Sequence, residues 1–158
     1  MLLIGDCFKK IDEIEEKSVQ AIVTSPPYWG LRDYKVGGQL GEELVPEDFV
    51  FNLTAFFHKC KRVLKDDGTL WLNIGDTYFG AKGGHWEGGN SITNDATGDN
   101  YRMHRKAPPK HSRLKTKDIC GVPWMLAFSM QKDGWYLRQD IIWHKPNPMP
   151  EAVKDRCV

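Results

Sequence analysis

Val19-Gln20-Ala21-Ile22-Val23-Thr24-Ser25-Pro26-Pro27-Tyr28-Trp29 is the stretch on which the fold turns. Val19 to Val23 is a β-branched, apolar run of strand character. Pro26 and Pro27 then forbid both a helix and a strand ladder, so the strand is expected to stop at Ser25. Beyond it a rigid, donor-poor backbone carries two large aromatic side chains, Tyr28 and Trp29.

Working outward, Leu2 to Ile4 is a short apolar run stopped by Gly5-Asp6. Phe8, Ile11 and Ile14 then recur every third residue, a strand-to-helix pattern. On the other side, residues 30–45 are Gly-rich and loop-like. Pro46-Glu47-Asp48 opens a helix, with Pro pre-set and acids favoured by the helix dipole, and Val50, Leu53, Phe57, Cys60 and Leu64 trace one face. Asp66-Asp67-Gly68 reads as a turn and Thr69 to Ile74 as a strand closed by Gly75-Asp76. Residues 77–117 form an insertion expected to be mobile. Its second part carries Arg102, Arg105, Lys106, Lys110, Arg113, Lys115 and Lys117 without one Asp or Glu. A helix over about 118–132, a strand from Trp135 to Trp143 and a Pro-rich segment complete the pattern, with Trp124, Phe128 and Trp135 read as core.

Strands alternating with helices predict one α/β domain over residues 1–158, with a largely parallel sheet flanked by helices. Ligands of such folds sit beyond the carboxyl ends of the strands. Asp6, Ser25 to Tyr28 and Asp76 all fall at those ends. The net charge of +1 supplies no global field for nucleic acid, so any such binding falls to a local patch. The four cysteines stand far apart, with no C-x-x-C pair, and suggest neither a zinc site nor a disulfide framework; nothing argues for a metal. No signal peptide or membrane span is read, and a cytoplasmic location is expected.

The strand-end motif suits one kind of chemistry. The lone pair of an exocyclic amino group on cytosine or adenine is delocalised into the ring, which makes the nitrogen a poor nucleophile. A hydroxyl such as that of Ser25 and a fixed carbonyl such as that of Pro26 can accept the two amino hydrogens and favour a pyramidal nitrogen. A base must leave the duplex to be reached, and Tyr28, with Trp29, offers an aromatic platform for it. The alternative is a Pro-Pro turn whose aromatics merely pack.

Ser25-Pro26-Pro27-Tyr28 resembles the S-P-P-Y motif of amino-type DNA methyltransferases, in the class whose catalytic half precedes its cofactor half. Gly5-Asp6-Cys7 resembles that family's G-D-[SC] motif. Arg62 to Asp76 resembles the helix and strand that follow the catalytic loop. Gly134 to Leu137 and Trp143 to Pro148 resemble its later strand and base-pocket segment. The resemblance implies a partial Rossmann-like sheet and S-adenosylmethionine as methyl donor. Ser25, Pro26, Pro27 and Tyr28 would hold the flipped base, and Asp6 would approach the donor's adenine with Cys7 beside it. Ser at position 25 resembles the cytosine-N4 enzymes more than the adenine-N6 ones. Carbon-5 methylation, which needs a thiol after a proline, is excluded because no Pro precedes any Cys.

The family's glycine-rich cofactor fingerprint, D-P-F-x-G-S-G-T, has no counterpart here. Asp76 to Gly84 imitates it superficially but aligns in order with the catalytic half. The expectation is therefore an incomplete cofactor site, finished by a missing C-terminal half, a second chain or a homodimer. Arg105, Lys106, Lys110 and Arg113 are candidate DNA-phosphate contacts, against the alternative of a solvated loop. His144 and Lys145 either line the base pocket, contact a phosphate or stand on the surface. Asp76 either helps position the ligands or caps a turn. The competing functional reading is a catalytically inert remnant that binds DNA.

Overall fold

The structure, a computed structural model, describes residues 2–80 and 111–147. In chain order it contains α1 (Cys7–Lys10), a 3₁₀ turn (Ile11–Glu13), β1 (Val19–Thr24), α2 (Pro46–Val63), β2 (Leu64–Leu72) and α3 (Val122–Lys132). β1 and β2 pair in parallel, joined through α2. Ala21 lies opposite Thr69 and Thr24 opposite Leu72, whereas Val19 lies opposite Leu64, so residues 65–68 bulge out beside Gln20. The turn expected at Asp66-Asp67-Gly68 is this bulge, built into β2.

α2 organises the core. Pro46 stands in its first turn with Glu47 and Asp48, and Lys61 and Arg62 close its last turn, in keeping with the helix dipole. Phe49, Val50, Leu53, Phe57, Cys60 and Val63 are buried along one stripe. Each large apolar side chain fully buried there contributes roughly 1.5–3 kcal/mol. Phe49 and Val63 belong to that stripe although the sequence periodicity did not single them out.

Three elements pack on α2. The inward face of the sheet brings Val19, Ile22, Leu70 and Leu72 to the core. The guanidinium of Arg62 donates to the carbonyls of Ile11 and Ile14, both at 2.9 Å, and fastens the amino-terminal turns to the helix. α3 buries Val122, Leu126 and Met130 at a spacing of four. Thr54 Oγ1 donates to Ser129 Oγ at 2.9 Å, and Asp133 takes Lys61 at 2.7 Å and His58 at 2.8 Å.

Four sequence expectations are corrected. Leu2 to Ile4 and Trp135 to Trp143 form no strand among the described residues. Their apolar pattern is strand-like, but a strand exists only where a neighbour satisfies its backbone groups, and neither segment lies in a ladder. Trp124 and Phe128 are 56% and 55% exposed rather than core. Trp124 stands two positions on from the buried Val122, about 200° round the helix, and so on its opposite face; Trp135 does pack against the core. α3 begins at Val122, four residues later than the sequence suggested.

The insertion is closed at its base. Phe79 donates its amide to Asp118 O at 2.8 Å, Lys117 to Phe79 O at 2.9 Å and Cys120 to Thr77 O at 2.9 Å, with an antiparallel bridge between Tyr78 and Ile119. Residues 77–79 and 117–120 are thus zipped together, and Leu114 packs on the core. The expectation of mobility applied to a segment whose two described ends are hydrogen-bonded. Residues 81–110, with Arg105, Lys106 and Lys110, lie outside the described residues.

Candidate functional site

β1 ends at Thr24, so Ser25 to Tyr28 leaves its carboxyl end as the proline pair requires. The parallel register carries on past the strands: Asn73 donates its amide to Thr24 O at 2.9 Å. This places Asn73 to Asp76, leaving the carboxyl end of β2, beside the Ser25–Tyr28 loop. Ser25 is exposed, and Pro26, Pro27 and Tyr28 are half-buried. Ser25 Oγ donates to Tyr28 Oη at 3.5 Å, at the long end of hydrogen bonding. A hydroxyl whose proton points to tyrosine keeps its lone pairs for an incoming donor.

Tyr28 is gripped from two sides. A Cβ at Gly41 would fall 2.9 Å from the Tyr28 carbonyl oxygen, and Gly41 has φ of +96°, so glycine is required there on both counts. A Cβ at Gly75 would fall 2.9 Å from Tyr28 Cε2 and 3.1 Å from Cδ2. The sequence marked Gly75 only as closing a strand and did not single out Gly41. The N-I-G-D stretch was legible as a strand end, and the use of its glycine depends on which ring arrives there.

Trp29 is corrected from platform to core. It is 4% exposed, stacks on Phe79 with centroids 6.5 Å apart and planes 9° from parallel, and donates its indole N–H to Glu43 O at 2.9 Å. Its ring is committed to packing against Phe79. Glu43 completes the bracket: its carboxylate accepts from the Gly41 amide at 2.8 Å and from Asn52 Nδ2 of α2 at 3.0 Å. The loop over residues 30–45 is therefore tied to both Trp29 and α2.

Asp76 acts as a cap. Its carboxylate accepts from the amides of Thr77, Gly121 and Val122 at 2.8, 2.9 and 3.1 Å, holding the first turn of α3 against the end of β2. Asp6 is the N-cap of α1, accepting from the Phe8 amide at 3.0 Å, and Cys7 is the first helical residue. Burial, and then the charge of Asp6, push the Cys7 thiol above its ordinary value, so it is no activated nucleophile. α1 leans on α2 through Phe8 and Phe56, whose ring centroids are 5.3 Å apart.

Arg113 is exposed but paired: it and His111, at 3.0 Å, both hold Glu47 in the first turn of α2. Burial alone would raise the Glu47 carboxyl, and the hydrogen bonds from His111 and Arg113 outweigh it and hold the group below its ordinary value. The imidazole of His111 also meets Phe79 edge-on, with centroids 5.4 Å apart. His144 and Lys145 are exposed in the segment after α3, outside any strand or helix. The structure thus brings the Ser25–Tyr28 turn together with Gly75 and its neighbour Asp76, while Asp6, Cys7, Arg113, His144 and Lys145 stand on other segments and Arg105, Lys106 and Lys110 lie outside the described residues.

The family model described as DNA methylase matches residues 19–158. The Type II methyltransferase M.SmaI of Serratia marcescens is 48% identical over 155 residues, covering 98% of this chain and 51% of that protein. M.XycI of Xanthomonas campestris pv. cyanopsidis is 48% identical over 164 residues, covering 98% and 49%. The more distant M.SfiI of Streptomyces fimbriatus is 37% identical over 155 residues, covering 98% and 32%. No solved structure matches. The chain spans about half the length of the first of these relatives. The S-P-P-Y loop at the end of β1, the strand laid beside it and the match over residues 19–158 agree: the chain belongs to the amino-type DNA methyltransferase family.

Proposed function

We propose that this chain is the catalytic half of an S-adenosylmethionine-dependent enzyme that methylates cytosine N4 in DNA, as part of a Type II modification activity. The observation that carries the reading is the placement of Ser25 and Tyr28 on one rigid turn outside the carboxyl ends of two adjacent parallel strands. The Ser25 hydroxyl and the Pro26 carbonyl accept the amino hydrogens of the flipped base, and Tyr28 stacks on it. As the nitrogen bonds the methyl carbon, that carbon's bond to the donor's sulfonium sulfur would break, the electron pair staying on sulfur as a neutral thioether, and the nitrogen would release one proton to water. S-adenosylmethionine, when bound, supplies that electrophilic methyl group. Ser25 in place of an aspartate favours cytosine N4 over adenine N6.

The donor set fits one corner of a cofactor site rather than a whole one. One oxygen of Asp6 is used by the Phe8 amide, and the other, which takes no hydrogen bond among the described residues, would accept from a donor such as an adenine amino group. The rest of the cradle and the completed Rossmann-like sheet belong to a second half, for which the outward sheet face is the docking surface. There Val23 and Trp71 are 79% and 52% exposed in a fold whose other sheet face is covered. About half of each long relative lies outside the matched region, which is enough chain for such a layer.

Calorimetric titration of the 158-residue chain with S-adenosylmethionine, alone and mixed with the complementary half of M.SmaI, tests the reading. Binding that appears or tightens on mixing, together with methyl transfer to cytosine N4, supports it. Methyl transfer to adenine N6 would overturn the choice of base. A mixture that neither binds the donor nor methylates DNA, with both halves folded and associated, would favour an inert DNA-binding remnant.

A further inference from the structure

We infer that Gly75 is a positioning residue for the aromatic platform: the missing side chain at the end of β2 is what lets the Tyr28 ring sit where a flipped base can stack on it. The inference deepens the proposed function and rests on that reading for the role of Tyr28. Its geometric part stands on the structure alone.

A Cβ at position 75 would lie 2.9 Å from Tyr28 Cε2, 3.1 Å from Cδ2 and 3.7 Å from Cζ. Carbon atoms in good contact sit about 3.5–4.0 Å apart, so the ring or the backbone must give by roughly 0.6 Å or more. The backbone is held on both sides of Gly75. Asn73 is bonded to Thr24 O at 2.9 Å, Ile74 packs on the core, and Asp76 is fixed by the amides of Gly121 and Val122. Gly75 is not among the positive-φ glycines, so alanine is allowed there as a backbone matter. Tyr28 is fixed in its main chain, where the Leu31 amide donates to its carbonyl at 3.2 Å and Gly41 abuts that same oxygen. The soft coordinate left is the rotation of the Tyr28 side chain. An added methyl therefore swings the ring away and stretches its contact with Ser25 Oγ, already 3.5 Å. A shift of this size at a stacking face is large compared with the tolerance of a positioned reactant.

The test compares the 158-residue chain with Gly75→Ala, Tyr28→Ala and the double variant. Tyrosine ring resonances are recorded with ring-labelled protein, the Tyr28 signals being assigned by their loss in Tyr28→Phe. Affinity for a short single-stranded oligodeoxycytidylate is measured by fluorescence anisotropy. The expected result is a shift confined to the Tyr28 ring in Gly75→Ala and about tenfold weaker binding in each single variant. Binding by the double variant should be no weaker than by Tyr28→Ala. The double variant should also regain any melting temperature lost in Gly75→Ala, because the methyl no longer meets a ring. That comparison keeps the test decisive if Gly75→Ala alone folds poorly. Unmoved Tyr28 resonances, or binding losses that multiply in the double variant, would overturn the inference. Tyr28→Ala binding as tightly as the parent would instead sink the stacking role itself, and the positioning role with it, whatever the ring does.

Discussion

The carboxylate of Asp76, just beyond β2, accepts the amides of Gly121 and Val122 at 2.9 and 3.1 Å and so supplies the cap that α3 lacks from its own N-cap residue. A cap provided by a residue 45 positions earlier in the chain welds the end of the sheet to the start of a helix. Asp76→Ala removes the acceptor from three amides and is expected to lower unfolding stability by about 2 kcal/mol. Asp76→Asn keeps one carbonyl oxygen and should lose less than half of that. Urea denaturation distinguishes the two. Equal, negligible losses would return Asp76 to the list of ligand-binding candidates.

Trp29 separates packing from recognition. Its ring is stacked on Phe79 and its indole N–H is bonded to Glu43 O. Trp29→Ala should cost about 3–5 kcal/mol, as truncation of a buried aromatic does. Trp29→Phe should cost markedly less, because it keeps a ring against Phe79 and gives up the hydrogen bond. Thermal melts check the stabilities. Oligonucleotide affinity measured on folded Trp29→Phe should match the parent within about twofold, an outcome that a base-stacking Trp29 would not give.

Glu47 makes the chain sensitive to acid. Its folded pKa is depressed below the ordinary 4.5, burial being outweighed by the bonds from His111 and Arg113. A depressed carboxylate contributes stability that is fully present above 4.5 and is lost as pH falls from there through the folded value. Asp133, depressed by Lys61 and His58 against its own burial, adds a contribution of the same sign. Melting temperature followed from pH 7 to pH 3 should therefore fall less steeply in Glu47→Gln than in the parent. Parallel curves would show that the Glu47 cluster carries no linkage.

Arg113 separates an internal ion pair from the proposed phosphate contacts of the basic segment. Its guanidinium is engaged by Glu47, whereas Arg105, Lys106 and Lys110, outside the described residues, are candidates for phosphate contact from the sequence alone. Each phosphate contact removed should lower the slope of log affinity against log salt by about 0.9 for duplex DNA, or about 0.7 for single strands. Lys106→Ala with Lys110→Ala is expected to lower the slope, and Arg113→Ala to leave it unchanged. A reduced slope for Arg113→Ala would mean that the arginine leaves Glu47 to meet a phosphate.

By itself the sequence determined the local chemistry. A β-branched run followed by Pro26-Pro27 ends a strand at a predictable place, because the prolines have no amide to donate. Pro46-Glu47-Asp48 starts a helix for equally local reasons, and the S-P-P-Y, G-D-C and N-I-G-D stretches carried the family resemblance. Only the tertiary structure decided what each side chain faces. Trp29 and Tyr28 are adjacent in sequence, yet Trp29 is buried against Phe79 while the half-buried ring of Tyr28 lies over Gly75, because different segments of chain meet the two rings. Gly75 matters through a ring 47 positions away, and Asp76 through two amides contributed from beyond the insertion. Strand propensity at Leu2 to Ile4 and Trp135 to Trp143 was legible, but pairing is a property of two segments, and neither segment lies in a ladder here.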